Sequence, residues 1–150
     1  MELDHRFDSK DLVKARRIFI EMRERITKDV AASNLVANEK YRTEKIAEAW
    51  TIELYRLMAD RNDDEDKYGE LMSLAGFFET IGVMVKNKYV SEQDAIGLFK
   101  GPLITFGRGF TKHIELRQKE AGMPSGLLEH ALYLYELAES AERKSSSPTA

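Results

Sequence analysis

The chain has 150 residues, of which 43% are hydrophobic and 33% are charged, with a formal net charge of −3 and no cysteine. The length and composition predict one globular domain, and the missing cysteines exclude disulfides, thiolate metal sites and cysteine nucleophiles. The negative charge argues against a general nucleic-acid binder. We find no apolar run long enough to span a bilayer and no signal peptide, so we expect a cytoplasmic protein without a membrane span.

The first half of the chain predicts two long helices. The first begins near Asp8 or Ser9, and the second runs from Asn38 to Ala59. Apolar residues recur at helical spacings in both. In the first they are Leu12, Ala15, Phe19, Met22, Ile26 and Val30, and in the second Tyr41, Ala47, Trp50, Leu54 and either Leu57 or Met58.

An acidic turn over residues 60–66 precedes a third predicted helix, residues 67–87, which is apolar over most of its circumference. Such a helix is expected at the centre of a bundle. Gly76 and Gly82 within it are expected to let a neighbouring helix approach closely.

The remaining segment predicts three shorter helices. Ser91 caps one that ends near Phe99, Pro102 begins another, and Ser125 caps the last. Residues 143–150 are small and polar and predict a disordered tail. We therefore predict an all-α, single-domain bundle of five or six helices over residues 1–142. The predicted core contains Phe78, Ile81, Val85, Leu98, Phe99, Phe106 and Phe110.

The run from Phe77 to Lys86, FFETIGVMVK, resembles the core helix of an uncharacterised bacterial domain-of-unknown-function family with an FFEEIG-type motif. Further matching pieces follow at residues 91–94 (SEQD), at Leu98-Phe99 and at Gly101. The resemblance covers roughly residues 8–119, and the sequence departs from it at Phe106-Gly107. It implies a helical fold and no catalytic residue.

Two segments imitate metal sites. The loop that begins at Asp60 has the acidic spacing of a calcium-binding loop, but Glu65 and Leu71 occupy the positions that need glycine and glutamate. Glu2 and His5 have the Glu-x-x-His spacing of di-metal bundles, but no second pair accompanies them. We therefore predict no metal and no cofactor.

Arg108 and His113 resemble the Arg-x4-His signature of the HEPN ribonucleases, which are small all-helical domains. That resemblance implies a metal-independent reaction in which the histidine handles the proton of the ribose 2′-hydroxyl and the arginine holds the phosphate. Residues five apart on a helix point about 140° apart, so such a site needs two motifs paired across a dimer. The alternative interpretation is a surface arginine and a histidine at the edge of the apolar face.

Charge is unevenly distributed along the chain. Residues 60–79 carry seven acidic and two basic residues, whereas residues 100–120 carry five basic and two acidic ones. This asymmetry favours a protein partner or self-association through facing acidic and basic patches. We predict a non-enzymatic protein–protein interaction module with Arg108, Lys112 and Lys119 as contact residues. Nucleic acid is a partner only under the ribonuclease alternative.

Overall fold

The computed structural model describes residues 10–33, 39–60 and 65–146. These residues form five α-helices and no strand: α1 (Lys10–Ala32), α2 (Glu39–Ala59), α3 (Lys67–Lys86), α4 (Glu92–Gln118) and α5 (Glu129–Ser146). The predicted all-α bundle is therefore confirmed. The predicted helix starts at residues 8–9 and 38 lie outside the described residues. α5 continues over residues 143–146, which were predicted to begin a disordered tail.

Each helix packs mainly against two neighbours. α3 lies between α1 and α5, α4 lies between α2 and α5, and α1 contacts α2. A chain of aromatic contacts runs through the interior, with successive ring centroids 4.8–6.4 Å apart. Its members are Phe77, Phe99, Phe78, Phe106, Phe110, Trp50 and Phe19. Because these rings come from α1, α2, α3 and α4, they hold four helices to one core.

The predicted core is confirmed except at one position. Phe78, Ile81, Val85, Phe99, Phe106 and Phe110 are all buried. Leu98 is 41% exposed, so its assignment to the core was wrong. Successive residues of a helix lie about 100° apart, and Phe99 takes the inward direction.

α4 is a single helix of 27 residues, although two helices were predicted on either side of residues 100–101. An interior proline costs about 3 kcal/mol because it lacks an N–H and crowds the preceding turn. Here Gly101 precedes Pro102, and glycine has no Cβ to collide with the proline ring. Phe99 and Phe106, on either side of the proline, are both buried in the same core. Tertiary packing therefore outweighs the local tendency of Pro102 to end the helix.

The turn between α3 and α4 follows the predicted capping chemistry. The Ser91 side chain accepts a hydrogen bond from the backbone N–H of Asp94 at 3.0 Å, which confirms this residue as the N-cap of α4. Lys88 adopts a left-handed backbone conformation with a φ of 64°. The chain thereby reverses within five residues, so α3 and α4 lie in the same bundle.

The N-terminus of α5 is capped from another helix. Glu79 of α3 accepts hydrogen bonds from the backbone N–H groups of Ala131 at 2.8 Å and His130 at 3.3 Å. The same carboxylate lies 2.7 Å from Nδ1 of His130. Ser125 was predicted as the cap, but α5 begins four residues later. A carboxylate supplied from α3, and not the side chain of Ser125, therefore caps the amide groups at the start of α5.

We expect Glu79→Gln to lower the free energy of unfolding by about 1–2 kcal/mol, because the amide removes the negative charge and one acceptor oxygen from this cap. Urea denaturation followed by circular dichroism measures the change. Glu115→Gln is the control, since Glu115 is exposed on α4 and its change should stay within about 0.5 kcal/mol. Equal stability of the two variants would show that the cap does not contribute.

Candidate functional site

The three cations predicted as contact residues lie on one exposed side of α4. Arg108, Lys112 and Lys119 fall within an arc of about 40° around the helix, and we call them the basic face of α4. The Nε–H of Arg108 donates to Oε1 of Glu139 on α5 at 2.8 Å. This ion pair compensates part of the charge of Arg108, so Lys112 and Lys119 contribute most of the positive charge of the face.

His113 lies inside the bundle. Its side chain is buried, and its Nε2 lies 3.0 Å from the hydroxyl oxygen of Tyr68 on α3. The ring also meets Tyr55 of α2 edge-on, with centroids 4.7 Å apart. His113 was expected at the edge of the apolar face, and it lies deeper because tyrosines from two other helices close over it. Arg108 faces α5 instead, so the structure does not bring this arginine and His113 together.

Polar side chains surround His113 at the end of α4. Arg117 forms an ion pair with Glu120, and the hydroxyl of Tyr55 donates to Oε1 of Glu120 at 3.0 Å. Burial, with a smaller contribution from the positive charge of Arg117, lowers the pKa of His113 to about 4. Nδ1 of His113 is also buried and has no hydrogen-bond partner among the described residues. The ring is therefore neutral at neutral pH and links α2, α3 and α4.

A groove of about 280 Å³ lies between α1 and α4. Phe19 of α1 and Leu74 of α3 contribute apolar surface to it, and Pro102 and Thr105 line it from α4. Ile20 of α1 also lines the groove and is 39% exposed. We call this cavity the α1–α4 groove. Its lining is mainly apolar, which suits an apolar group from outside the chain.

Both charged residues that line the α1–α4 groove are arginines. Arg16 and Arg23 stand on α1 seven residues apart, or about 10.5 Å along the helix. The α4 side contributes Gly101, Pro102 and Thr105 and no charge. The groove is therefore positive on one side, although the chain as a whole is negative. This arrangement attracts a ligand with acidic groups beside an apolar one.

The part of the chain that the structure describes contains no group of three side chains placed to hold a metal ion. Residues 61–64 of the calcium-like loop, together with Glu2 and His5, lie outside that part. None of the five helices is long and apolar enough to cross a membrane.

The sequence interpretation missed the groove because its two sides are about 80 residues apart in the chain. One local signal was available. Ile20 is apolar but lies off the regular stripe of α1, and such a residue has no place in the core and remains available at the surface. In the sequence, Arg16 and Arg23 are typical of a solvated helix face. The structure shows that both line a groove together with residues of α4.

The described residues thus form three candidate sites: the α1–α4 groove, the basic face of α4, and the buried His113 with Tyr55 and Tyr68. The first two are accessible from solvent, and the third is enclosed. Comparison with protein-family models, curated proteins and solved structures found no match, so the resemblance of the FFETIG helix to a bacterial family stays a prediction.

Proposed function

We propose that this protein is a non-enzymatic interaction module that binds an acidic, partly apolar segment of a protein in the α1–α4 groove. The observation that carries the proposal is the combination of exposed apolar surface with two arginines on one side of the groove. Apolar contacts supply affinity in such an interface, and charge complementarity selects the partner.

The basic face of α4 extends the same surface. Gly101 and Thr105 of the groove lie with Arg108, Lys112 and Lys119 within one arc of about 60° around α4. A segment seated in the groove and following α4 would therefore pass these cations next. The contact residues predicted from the sequence would therefore extend the groove along α4. Their positive charge further favours an acidic partner.

The position of His113 supports the non-enzymatic interpretation over the ribonuclease alternative. A general base must come within hydrogen-bond distance of the proton that it removes. His113 is buried against Tyr68, and Arg108 is bound to Glu139. This geometry gives the ribonuclease alternative no support.

A photo-cross-linking amino acid at Thr105 tests the proposal in cells of the natural host. We expect irradiation to link the protein to a discrete partner, because Thr105 lines the groove. The matched control carries the same amino acid at Ile52, which is 70% exposed on α2 and does not line the groove. Adding Arg23→Glu should weaken the cross-link from Thr105. The proposal fails if Thr105 yields no product, or if Ile52 yields the same product.

A further inference from the structure

We propose that one occupant of the α1–α4 groove is helix α5 of a second copy of this chain, presented through Glu129, Tyr133 and Glu136. This inference rests on the proposed function and names a partner for the same site. It is carried by the match between the groove and the exposed side of α5 in size, spacing and charge. The expected assembly is head-to-tail, with the groove of one protomer holding α5 of the next.

The size of the groove favours a side chain as its occupant. Its volume of about 280 Å³ lies just below the roughly 300–1,000 Å³ of sites for small organic ligands. One large side chain projecting from a helix can rest on Phe19, Ile20 and Leu74. Helices commonly bind grooves in this way, with one or two apolar anchors between polar flanks.

The exposed side of α5 presents such an anchor. The Tyr133 side chain is 39% exposed, and its hydroxyl donates to Oε1 of Glu92 at 3.1 Å, which holds it against α4. Glu129 precedes it by four residues and Glu136 follows it by three, and both are exposed. The three residues therefore form one stripe, with a carboxylate at each end.

The spacing of charges matches across the two surfaces. Glu129 and Glu136 are seven residues apart, as are Arg16 and Arg23, so each pair spans about 10.5 Å along its helix. Ile20 lies between the two arginines, as Tyr133 lies between the two glutamates. When the helices lie side by side, both carboxylates can face an arginine while Tyr133 faces the groove.

The charges also disfavour one two-fold arrangement. A two-fold dimer that placed one groove on the other would bring Arg16 and Arg23 of both protomers together, and like charges would repel. A single contact between the groove of one protomer and α5 of the next joins two different surfaces. It leaves the second groove and the first α5 surface available for further copies. Such contacts continue into rings or open chains. Self-association should therefore proceed beyond the dimer as the concentration rises.

Sedimentation velocity of the purified full chain, from micromolar to millimolar concentration, tests this inference. We expect the wild type to form dimers and larger species and to dissociate in high salt, which screens exposed charges. Arg23→Glu disables the groove, and Glu136→Arg disables the α5 surface. Both positions are exposed, so the folded structure should survive, which circular dichroism can confirm. Each variant alone should be monomeric.

Mixing the two single variants gives the sharpest result. Arg23→Glu retains its α5 surface and Glu136→Arg retains its groove, so an equimolar mixture should associate although neither variant does so alone. A wild type that is monomeric at every concentration, or single variants that still associate, would overturn the inference. If the wild type is monomeric while Thr105 still cross-links to another protein, only self-docking fails. If neither is seen, the proposed function fails with it.

Discussion

Gly107→Ala is expected to lower the free energy of unfolding by about 3 kcal/mol, because the new methyl group would occupy the space of an aromatic ring. A Cβ at this position would lie 1.9 Å from Cδ1 and 2.0 Å from Cγ of Tyr135 on α5. These atoms are near the base of the ring and cannot yield without moving the whole side chain. The contact between α4 and α5 must open, or Tyr135 must leave it.

Gly97→Ala is the matched control in the same helix. A Cβ at Gly97 meets nothing within 4 Å, and alanine is favoured over glycine inside a helix by about 1 kcal/mol. The two substitutions are chemically identical, so the sign of the change separates packing from helix propensity. Urea denaturation should shift the midpoint down for Gly107→Ala and up for Gly97→Ala. A shift in the same direction for both would contradict the close approach of α4 and α5.

The fold should also lose stability in mild acid through His113. Its pKa falls from 6.5 to about 4 on folding. Above pH 6.5 the ring is neutral in both the folded and the unfolded state, so the full stability is present. Between pH 6.5 and 4 the unfolded chain binds a proton that the folded chain does not, and the free energy of unfolding falls by about 3 kcal/mol in total.

The physical cause lies in the surroundings of the ring. Tyr55 and Tyr68 exclude water from it, Arg117 repels a second positive charge, and Glu120 opposes that effect only in part. A protonated ring would carry an N–H on both nitrogens, and Nδ1 is buried without a hydrogen-bond partner among the described residues. Protonation is therefore unfavourable until the structure opens.

The measurement is the free energy of unfolding in urea at several pH values between 7.5 and 4, for the wild type and for His113→Gln. Glutamine can still approach the hydroxyl of Tyr68 and does not titrate in this range. Carboxylates contribute equally to both curves, so the difference between the curves isolates His113. It should grow as the pH falls below 6.5. Parallel curves would show that the histidine does not drive the loss.

The sequence alone was sufficient to predict the helices and most of the core. The stripe from Leu12 to Ile26 is buried, as its spacing of three and four required. Ser91 caps α4 as predicted, since a serine before a helix bonds an amide group only two or three residues away. These features are local: a side chain and its partner lie on the same turn or the same face, so residue order is enough to relate them.

Two glycines of α3 differ in a way that their neighbours in sequence do not predict. Gly76 and Gly82 were given the same role, and the structure separates them. A Cβ at Gly82 would lie 2.3 Å from the backbone oxygen of His130 on α5, whereas a Cβ at Gly76 would meet nothing within 4 Å. Both lie in the same helix with similar neighbours in sequence. Only the placement of α5 decides which of them is essential to packing.

Pro102, His113 and the α1–α4 groove depended on the tertiary structure in the same way. α4 continues through Pro102 because residues on both sides share one core, and His113 is buried because tyrosines from α2 and α3 reach it. The groove exists because residues of α1, α3 and α4 that are distant in sequence line one cavity. Periodicity and capping act over a few residues, so the sequence by itself determined which segments are helical but not that two of them join through Pro102. Burial, long-range hydrogen bonds and cavities depend on which helices meet, so only the folded chain decided them.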